Sequence, residues 1–178
     1  MAKVWFTSDT HYGAHRTLEL CRRPFASTEE MDNYIIEQYN NLVQPNDICY
    51  HLGDFGDYDK VKYLNGKVIL IMGNYERRDC EENFHGDIIT YKRYLRDKGF
   101  YTVYENHSWY KNYKLAHEPS KHSPKHFTLF GHIHRSVQVK RFGLNVGVDC
   151  NFFRPIDEET VEFFKTAIEK YYDEEVFD

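Results

Sequence analysis

The stretch Phe130-Gly131-His132-Ile133-His134 holds two histidines, two residues apart, at the end of an apolar run. Because residues two apart in an extended strand point to the same face of a sheet, both imidazoles can reach one site. Asp9 and His11 have the same spacing after the first apolar run of the chain. The pattern predicts a site that forms only when the start of the chain packs against this late stretch.

Three further segments have the same form, an apolar run that ends in a residue type able to bind a metal ion. They are Gly53-Asp54, Gly73-Asn74 and His117. Apolar runs at 4–8, 48–52 and 68–72 are predicted strands that alternate with helical segments, which indicates a largely parallel sheet. In such sheets the usual site is the crevice at the carboxyl ends of the strands. We therefore expect Asp9, Asp54 and Asn74 to meet there.

The first half of the chain contains clear helix signals. Ser27 and Glu30 have capping-box spacing, and the apolar residues that follow predict a helix to about residue 43. A short helix is predicted over 58–64 and another over 88–98, where Gly99 is the expected stop. Residues 12–26 read as a loop.

The second half of the chain changes to short strands. Their predicted ranges are 101–104, 109–110, 113–117, 127–130, 137–141 and 144–148. Strands this short and closely spaced favour antiparallel pairing and a second sheet. A polar loop is expected over 118–126. Asp157 is the predicted N-cap of a last helix, whose expected apolar stripe comprises Val161, Phe164, Ile168 and Tyr171.

The composition predicts one soluble domain over residues 1–178. The 41% hydrophobic and 29% charged residues suit a packed globule, and the formal net charge of −5 argues against a general nucleic-acid coat. Of the four cysteines, Cys49 and Cys150 lie in apolar runs and are expected to be free, buried thiols. With neither a leader peptide nor a long apolar span, the chain is predicted to be cytoplasmic and without membrane contact.

Carboxylate, amide and imidazole ligands in this arrangement have a chemical purpose. Two divalent ions held close together activate water near neutral pH and neutralise phosphoryl oxygens during in-line displacement. The ligand set contains nitrogen and oxygen but no thiolate. It therefore fits Mn, Fe, Zn, Co or Ni, with Mn expected first, and ligand type alone does not choose among them.

The ordered motifs resemble the calcineurin-like metallophosphoesterase superfamily, over residues 9 to 134. The resemblance implies a four-layer α/β/β/α sandwich, in which two mixed β-sheets are flanked by helices. It also implies two divalent metal ions. Carried over by position, Asp9, His11 and His134 would bind one ion, Asn74, His117 and His132 would bind the other, and Asp54 would bridge them. Asp54, Asn74 and His132, together with the residue at position 75, would form the catalytic group.

One position departs from the family pattern. Where the family has histidine after Gly-Asn, this chain has Tyr75. An imidazole is partly protonated near neutral pH, whereas a phenol is a much weaker acid. The departure predicts poor activity on esters with poor leaving groups and relatively better activity on activated diesters.

Other residue assignments remain open at the level of sequence. His122 and His126 lie close enough to rival His117 as a ligand, although only His117 directly follows an apolar strand. His51 is expected in the core. His15, Arg77 and Arg78 are candidate contacts for a substrate phosphate, with solvent-exposed positions as the alternative.

The leading functional prediction is a metal-dependent phosphodiesterase that acts on a small phosphate ester or nucleotide-like substrate. A nuclease for DNA or RNA is the enzymatic alternative. Residues 91–98 form a basic segment in which Tyr91 and Tyr94 are interleaved, a pattern that fits a nucleic-acid groove, although a solvated helix face is the favoured interpretation. A non-catalytic interaction scaffold that retains the fold is the alternative from another class. The sequence gives no indication of the oligomeric state.

Overall fold

Over the part of the chain that the structure describes, the strands form two five-stranded β-sheets. The structure is a computed structural model that describes residues 2–171 and Asp173. The first sheet has the strand order β10-β1-β2-β3-β4, and the second has the order β5-β6-β7-β9-β8. The strands are β1 Val4–Thr7, β2 Ile48–His51, β3 Lys67–Ile71, β4 Thr102–Tyr104, β5 His107–Tyr110, β6 Tyr113–Ala116, β7 Thr128–Phe130, β8 Val139–Lys140, β9 Gly143–Asn145 and β10 Ile156–Asp157.

Among the residues that the structure describes, five α-helices and three 3₁₀ turns accompany these strands. The helices are α1 His15–Leu20, α2 Thr28–Leu42, α3 Asn74–Phe84, α4 Ile88–Lys98 and α5 Glu158–Tyr171, and the 3₁₀ turns are Tyr58–Tyr63, Pro119–Lys121 and Val148–Cys150. The prediction of two mixed sheets flanked by helices is confirmed, because both sheets contain parallel and antiparallel pairs. Within the described residues, no helix combines the length and the apolar character needed to cross a membrane.

Alternation along the buried strands divides the core into two parts. Trp5 of β1 faces the helices and packs with Met31 and Ile35 of α2. Its neighbour Phe6 faces the other way and packs with Leu115 and Leu129 of the second sheet. Because side chains alternate in a strand, Val4 and Phe6 of β1 supply one core and Trp5 supplies the other.

The predicted helix signals have local physical causes in the structure. Ser27 Oγ accepts a hydrogen bond from Glu30 N at 3.1 Å, which satisfies one free donor of the first turn. The Glu30 side chain, however, accepts from Ala26 N rather than from the cap residue, so only half of the predicted capping box forms. Asp157 accepts from Thr160 N at 3.0 Å and so caps the first turn of α5 as predicted.

Two expectations for the segments between strands are wrong. The predicted loop over 12–26 contains α1. This short helix has no acidic residue in its first turn and no side-chain cap, so the sequence carries no signal for its start. No helix is predicted between the strand over 68–72 and the helix over 88–98, yet α3 runs there for 11 residues. Its residues are polar almost all round, so no apolar periodicity marks it in the sequence.

The second half also departs from expectation in its pairing. Strand β4 extends the first sheet by parallel pairing with β3, rather than joining the second sheet. The second sheet is not wholly antiparallel, because β7 pairs in parallel with both β6 and β9. Tyr171 is 76% exposed and lies outside the apolar stripe of α5, whereas Val161 and Ile168 are buried. Cys49 is a buried free thiol as predicted, while Cys150 is free but only half-buried.

Parallel pairing places the predicted ligands at one edge of the molecule. Strands β1, β2 and β3 run in the same direction, so their carboxyl ends lie side by side. The end of β1 also reaches the second sheet, where Ser8 forms a parallel bridge with Gly147. The late histidines therefore come within reach of the first sheet's carboxyl edge.

Candidate metal centre

An unusual backbone conformation marks the candidate site. Five of the seven predicted ligand residues have left-handed φ angles, which non-glycine residues rarely adopt. They are Asp9 (58°), His11 (50°), Asp54 (56°), His132 (72°) and His134 (49°). Such conformations cost free energy and persist only where surrounding contacts enforce them. Here Asp9 N donates to Gly53 O and His11 N donates to Asp54 O, both at 3.0 Å.

The first group of ligand atoms comes from Asp9, His11 and His134, whose donor atoms lie within 4.8 Å of one another. The ring of His11 stacks on that of His134 with 5.2 Å between centroids. His11 is 1% exposed, and neither of its ring nitrogens has a hydrogen-bond partner. Burial lowers its pKa to about 4, against the opposing effect of nearby carboxylates. A buried, neutral imidazole without a partner is well suited to bind a cation.

The second group consists of Asp54, His117 and His132, whose donor atoms also lie within 4.8 Å of one another. Asn74 joins them, since its Oδ1 lies 2.9 Å from His117 Nε2 and 3.1 Å from His132 Nδ1. His117 Nδ1 donates to the Leu52 carbonyl at 2.7 Å, so the lone pair of the neutral ring lies on Nε2, towards Asn74. The electron-rich atoms of this group therefore converge on one point, as a cation site requires.

Negative charge around His117 favours a cation at the same point. Burial alone would lower the pKa of this imidazole. The carboxylates of Asp54, Asp9 and Glu76 outweigh burial and raise its pKa to about 9. Because nearby carboxylates stabilise positive charge, the surroundings favour either a proton or a metal ion at His117 Nε2.

Asp54 lies between the two groups. Its Oδ1 is 3.5 Å from His117 Nε2, and its Oδ2 is 3.6 Å from His11 Nε2. Burial opposes ionisation, but His117, His11 and the Tyr75 N–H outweigh it and lower the pKa of Asp54 to about 2. The carboxylate is therefore ionised near neutral pH and presents one oxygen to each group.

Two glycines permit this close packing. A Cβ on Gly53, where φ is +95°, would lie 2.5 Å from Gly73 N. Gly73 itself has an extended φ, so it is needed for close approach and not for a turn, since its Cβ would lie 2.4 Å from Asp54 Oδ1.

Several residues beside the candidate ligands were missed by sequence reasoning. Asp149 Oδ2 accepts from His134 Nδ1 at 2.8 Å, which directs His134 Nε2 away from Asp149. Arg23, 5% exposed, binds Asp149 bidentately at 2.9 and 2.8 Å. The same guanidinium donates to the carbonyls of Asp9 at 2.6 Å and Thr10 at 2.7 Å. No local spacing links residues 126 positions apart, so only the fold reveals this pair.

Glu76 is a second missed residue. It is fully buried, and its carboxylate accepts from Gly73 N at 2.7 Å, Asp54 N at 2.9 Å and Phe55 N at 2.8 Å. Burial and the neighbouring Asp54 carboxylate raise the pKa of Glu76. The side chain ties the turn after β2 to the start of α3. A sequence signal existed, because Glu follows the Gly-Asn pair by two positions.

The candidate substrate residues lie in different surroundings. His15 has a 73% exposed side chain at the start of α1, 3.9 Å from Glu19. Arg77 donates to the Met72 carbonyl and forms an ion pair with Glu118. Arg78 is exposed, and its guanidinium lies 4.5 Å from the centre of the Tyr75 ring. The structure thus brings Arg78 beside position 75 and leaves Arg77 already engaged.

The remaining histidines lie outside both ligand groups. His51 is 1% exposed and hydrogen-bonds Thr10 Oγ1 at 3.0 Å, as expected for a core histidine. Burial lowers its pKa to about 3, so it is neutral. His122 stacks on Phe142 and His126 contacts Ser123, and both are exposed. His117 is therefore the one of the three rivals that lies beside Asn74 and Asp54.

The chain is similar to other proteins in sequence and in overall fold. The sequence is 26% identical over 179 residues to an uncharacterized protein of Methanocaldococcus jannaschii, and the match covers 90% of each chain. A crystal structure of a protein of unknown function from Aquifex aeolicus has the same fold. It has a TM-score of 0.68 at 20% identity, and the match covers 92% of this chain and 99% of that one.

A family description matches most of the chain. It is that of the calcineurin-like phosphoesterase superfamily domain, and it matches residues 2–148, a span that includes every predicted ligand. The donor groups found at the carboxyl edge are those that a divalent metal ion needs in a phosphoesterase. The chain belongs to the calcineurin-like phosphoesterase superfamily, a family of metal-dependent hydrolases that act on phosphate esters.

Proposed function

We propose that this protein is a two-metal phosphodiesterase for small, nucleotide-like substrates. The observation that carries the proposal is the position of Asp54, whose two carboxylate oxygens each face a separate group of ligand atoms. A carboxylate placed between two such groups is the natural bridge for a pair of cations. Asp9, His11 and His134 would hold one ion, Asn74, His117 and His132 would hold the other, and Asp54 would contact both.

Bound divalent ions would supply Lewis-acid polarisation of the phosphate and activation of water for attack. We propose Mn²⁺ as the ion, which suits a set of nitrogen and oxygen ligands. The side chains themselves fix the geometry. Hydrogen bonds to Leu52 O and Asp149 Oδ2 orient the His117 and His134 rings, and the Tyr75 N–H holds Asp54 Oδ1 at 3.0 Å. His132 is exposed and marks the side from which substrate would enter.

The charges near the site favour a diester over a monoester. A monoester dianion carries more charge than a diester and gains more from nearby cationic side chains. Arg77 is paired with Glu118, which removes one candidate cation. Tyr75 stands where the family has histidine, whose protonated ring is a stronger acid than a phenol and would protonate a poor leaving group. The chain's own residues therefore suit a monoanionic ester with a good leaving group.

Nuclease and scaffold functions are less well supported. Asp79 and Glu82 lie on α3 near Tyr75, and the net charge is −5, so a long polyanion would meet repulsion. Five strained ligand backbones would be a free-energy cost without benefit in a scaffold.

Metal analysis paired with activity assays tests the proposal. Elemental analysis of protein dialysed against Mn²⁺ should give two ions per chain. The loaded protein should hydrolyse an aryl phosphodiester faster than the corresponding aryl monoester. A metal content near zero, or faster monoester hydrolysis, would contradict the proposal. Tight binding of single-stranded DNA or RNA that weakens steeply with salt would instead favour the nuclease.

A further inference from the structure

A cavity of about 300 Å³ lies directly beside the candidate metal centre. Its lining residues are Gly56, Tyr58, Tyr75, Arg78, Asp79, Glu82 and Tyr94. Tyr75 belongs to both places, because its backbone N donates to Asp54 Oδ1 at 3.0 Å and its ring meets His11 edge-on at 4.7 Å. A ligand in this cavity would therefore be in contact with a residue that also contacts two candidate metal ligands.

The cavity walls are planar and aromatic. Tyr58 and Tyr94 meet at 6.2 Å with nearly perpendicular rings, and the Arg78 guanidinium lies over Tyr75 at 4.5 Å. A guanidinium stacked on a phenol ring can stack on a further planar group with its opposite face. Gly56 lets the backbone on one side of the cavity pack closely against Tyr12, since a Cβ there would lie 2.4 Å from Tyr12 N. These walls fit a flat heteroaromatic ring.

The charged side chains at the cavity are of two kinds. Arg78 is a cation, and two carboxylates accept hydrogen bonds. Asp79 and Glu82 contribute carboxylates from one face of α3. Glu82 is exposed and has no hydrogen-bond partner among the described contacts, so its carboxylate is available to a ligand. Carboxylates accept from exocyclic amino groups and disfavour a carbonyl in the same place.

We propose that this cavity is a nucleobase subsite, and that it selects bases with an exocyclic amino group, such as adenine, over bases with a carbonyl there, such as hypoxanthine. The inference rests on the proposed phosphodiesterase function and names the substrate class of that site, a small nucleoside phosphodiester. The phosphate would be held by the cations that Asp54, His117 and His132 are proposed to bind. The base stacks against Arg78, and its amino group donates to Glu82.

Paired substrates that differ only at the amino group test the subsite. For the Mn²⁺-loaded full chain, kcat/KM should be about tenfold higher for adenosine 2′,3′-cyclic phosphate than for its inosine counterpart, as expected for a hydrogen bond to a charged acceptor. Glu82→Gln should bring this ratio close to one. The matched control Glu81→Gln changes an exposed neighbour that does not line the cavity, so the ratio should stay as in the unchanged protein.

A binding measurement separates failure of the subsite from failure of the function. Calorimetry should show tighter binding of adenosine monophosphate than of inosine monophosphate, and Arg78→Ala should weaken both by about tenfold. If no diester is hydrolysed but this preference appears, the subsite stands and the proposed function fails. If methyl p-nitrophenyl phosphate is hydrolysed while the adenosine and inosine ligands behave alike, the subsite is overturned and the function stands.

Discussion

His134 is held in place by a side chain that no sequence motif singles out. Asp149 accepts from its Nδ1, and Arg23 holds Asp149 with two further hydrogen bonds. A carboxylate behind a histidine ligand fixes the tautomer and the ring orientation, and losing it costs about 10- to 100-fold in metal affinity. Arg23 also donates a hydrogen bond to the carbonyl of Asp9, whose backbone has a left-handed φ angle. Arg23 and Asp149 therefore position the ligands of one metal group.

Asp149→Asn should weaken Mn²⁺ binding at one of two sites by about 10- to 100-fold, because the amide lacks the charge that holds His134 and Arg23. Calorimetric titration of Mn²⁺ measures both sites. The control substitution Asp97→Asn changes an exposed residue of α4. The resulting variant should bind Mn²⁺ with the same affinity as the unchanged protein. Equal loss at both sites, or no loss, would show that Asp149 does not act through His134.

Tyr75 is expected to set the leaving-group dependence of the reaction. Because a phenol donates a proton poorly near neutral pH, rates should fall steeply as the leaving group of an aryl diester series becomes more basic. Tyr75→His should make that dependence shallower. The measurement is the slope of log kcat/KM against leaving-group pKa for both proteins. An unchanged slope would mean that position 75 takes no part in protonating the leaving group.

At the scale of elements, Glu76 joins the turn after β2 to the first turn of α3. Its carboxylate accepts three backbone N–H groups, from Gly73, Asp54 and Phe55. Glu76→Gln should lower the free energy of unfolding by about 1–3 kcal/mol. The NH₂ group of the introduced glutamine cannot accept a hydrogen bond, so at least one of the buried N–H groups would lose its acceptor. Urea denaturation measures this loss, with Glu81→Gln as an exposed control on the same helix. Equal stability of the two variants would contradict the role assigned to Glu76.

Asp47 ties the beginnings of β1 and β2 together. It accepts from Lys3 N at 2.7 Å, Trp5 Nε1 at 3.0 Å and Gln44 N at 2.9 Å. Burial opposes ionisation, but these donors outweigh it and lower the pKa of Asp47. The unfolded carboxyl takes up a proton near pH 4 while the folded one stays ionised. The stabilisation is therefore complete above about pH 4 and is lost as the pH falls through the folded pKa.

Asp47→Asn should reduce the free energy of unfolding by about 1–3 kcal/mol at pH 7. The difference from the unchanged protein should shrink as the pH falls below about 4, because the unfolded carboxyl then takes up a proton that the folded carboxyl, with its lowered pKa, resists. Urea denaturation at pH 7 and at pH 3 checks this. Asp97→Asn serves again as the exposed control. A stability difference that stays constant from pH 7 to pH 3 would rule out an ionised Asp47 as its source.

The elements that sequence could predict are those with a local cause. Helices α2 and α4 begin at the side-chain caps Ser27 and Asp87, and α4 ends at Gly99. Helix α3 lacks an apolar face, and α1 lacks a cap, so neither leaves a periodic signal. The placement of β4 beside β3 depends on long-range pairing, which short strands do not encode locally.

At the scale of the whole molecule, the candidate site depends on contacts between distant parts of the chain. His132 N donates to both carboxylate oxygens of Asp9, 123 positions away, at 3.1 and 2.9 Å. Sequence spacing places ligand types at strand ends, and parallel pairing then predicts that the ends meet. Sequence spacing could not predict that Asp149 and Arg23 lie beside the ligands, or that the ligand backbones are left-handed. Both features depend on how the second sheet packs against the first.

The central claim is that Asp54 lies between two metal ions. Anomalous diffraction at the manganese edge, from crystals grown with excess Mn²⁺, tests it most directly. The account predicts two peaks about 3.5–4 Å apart, with Asp54 between them, one beside His11 and His134 and the other beside His117 and His132. A single peak, or no peak within bonding distance of Asp54, would contradict it.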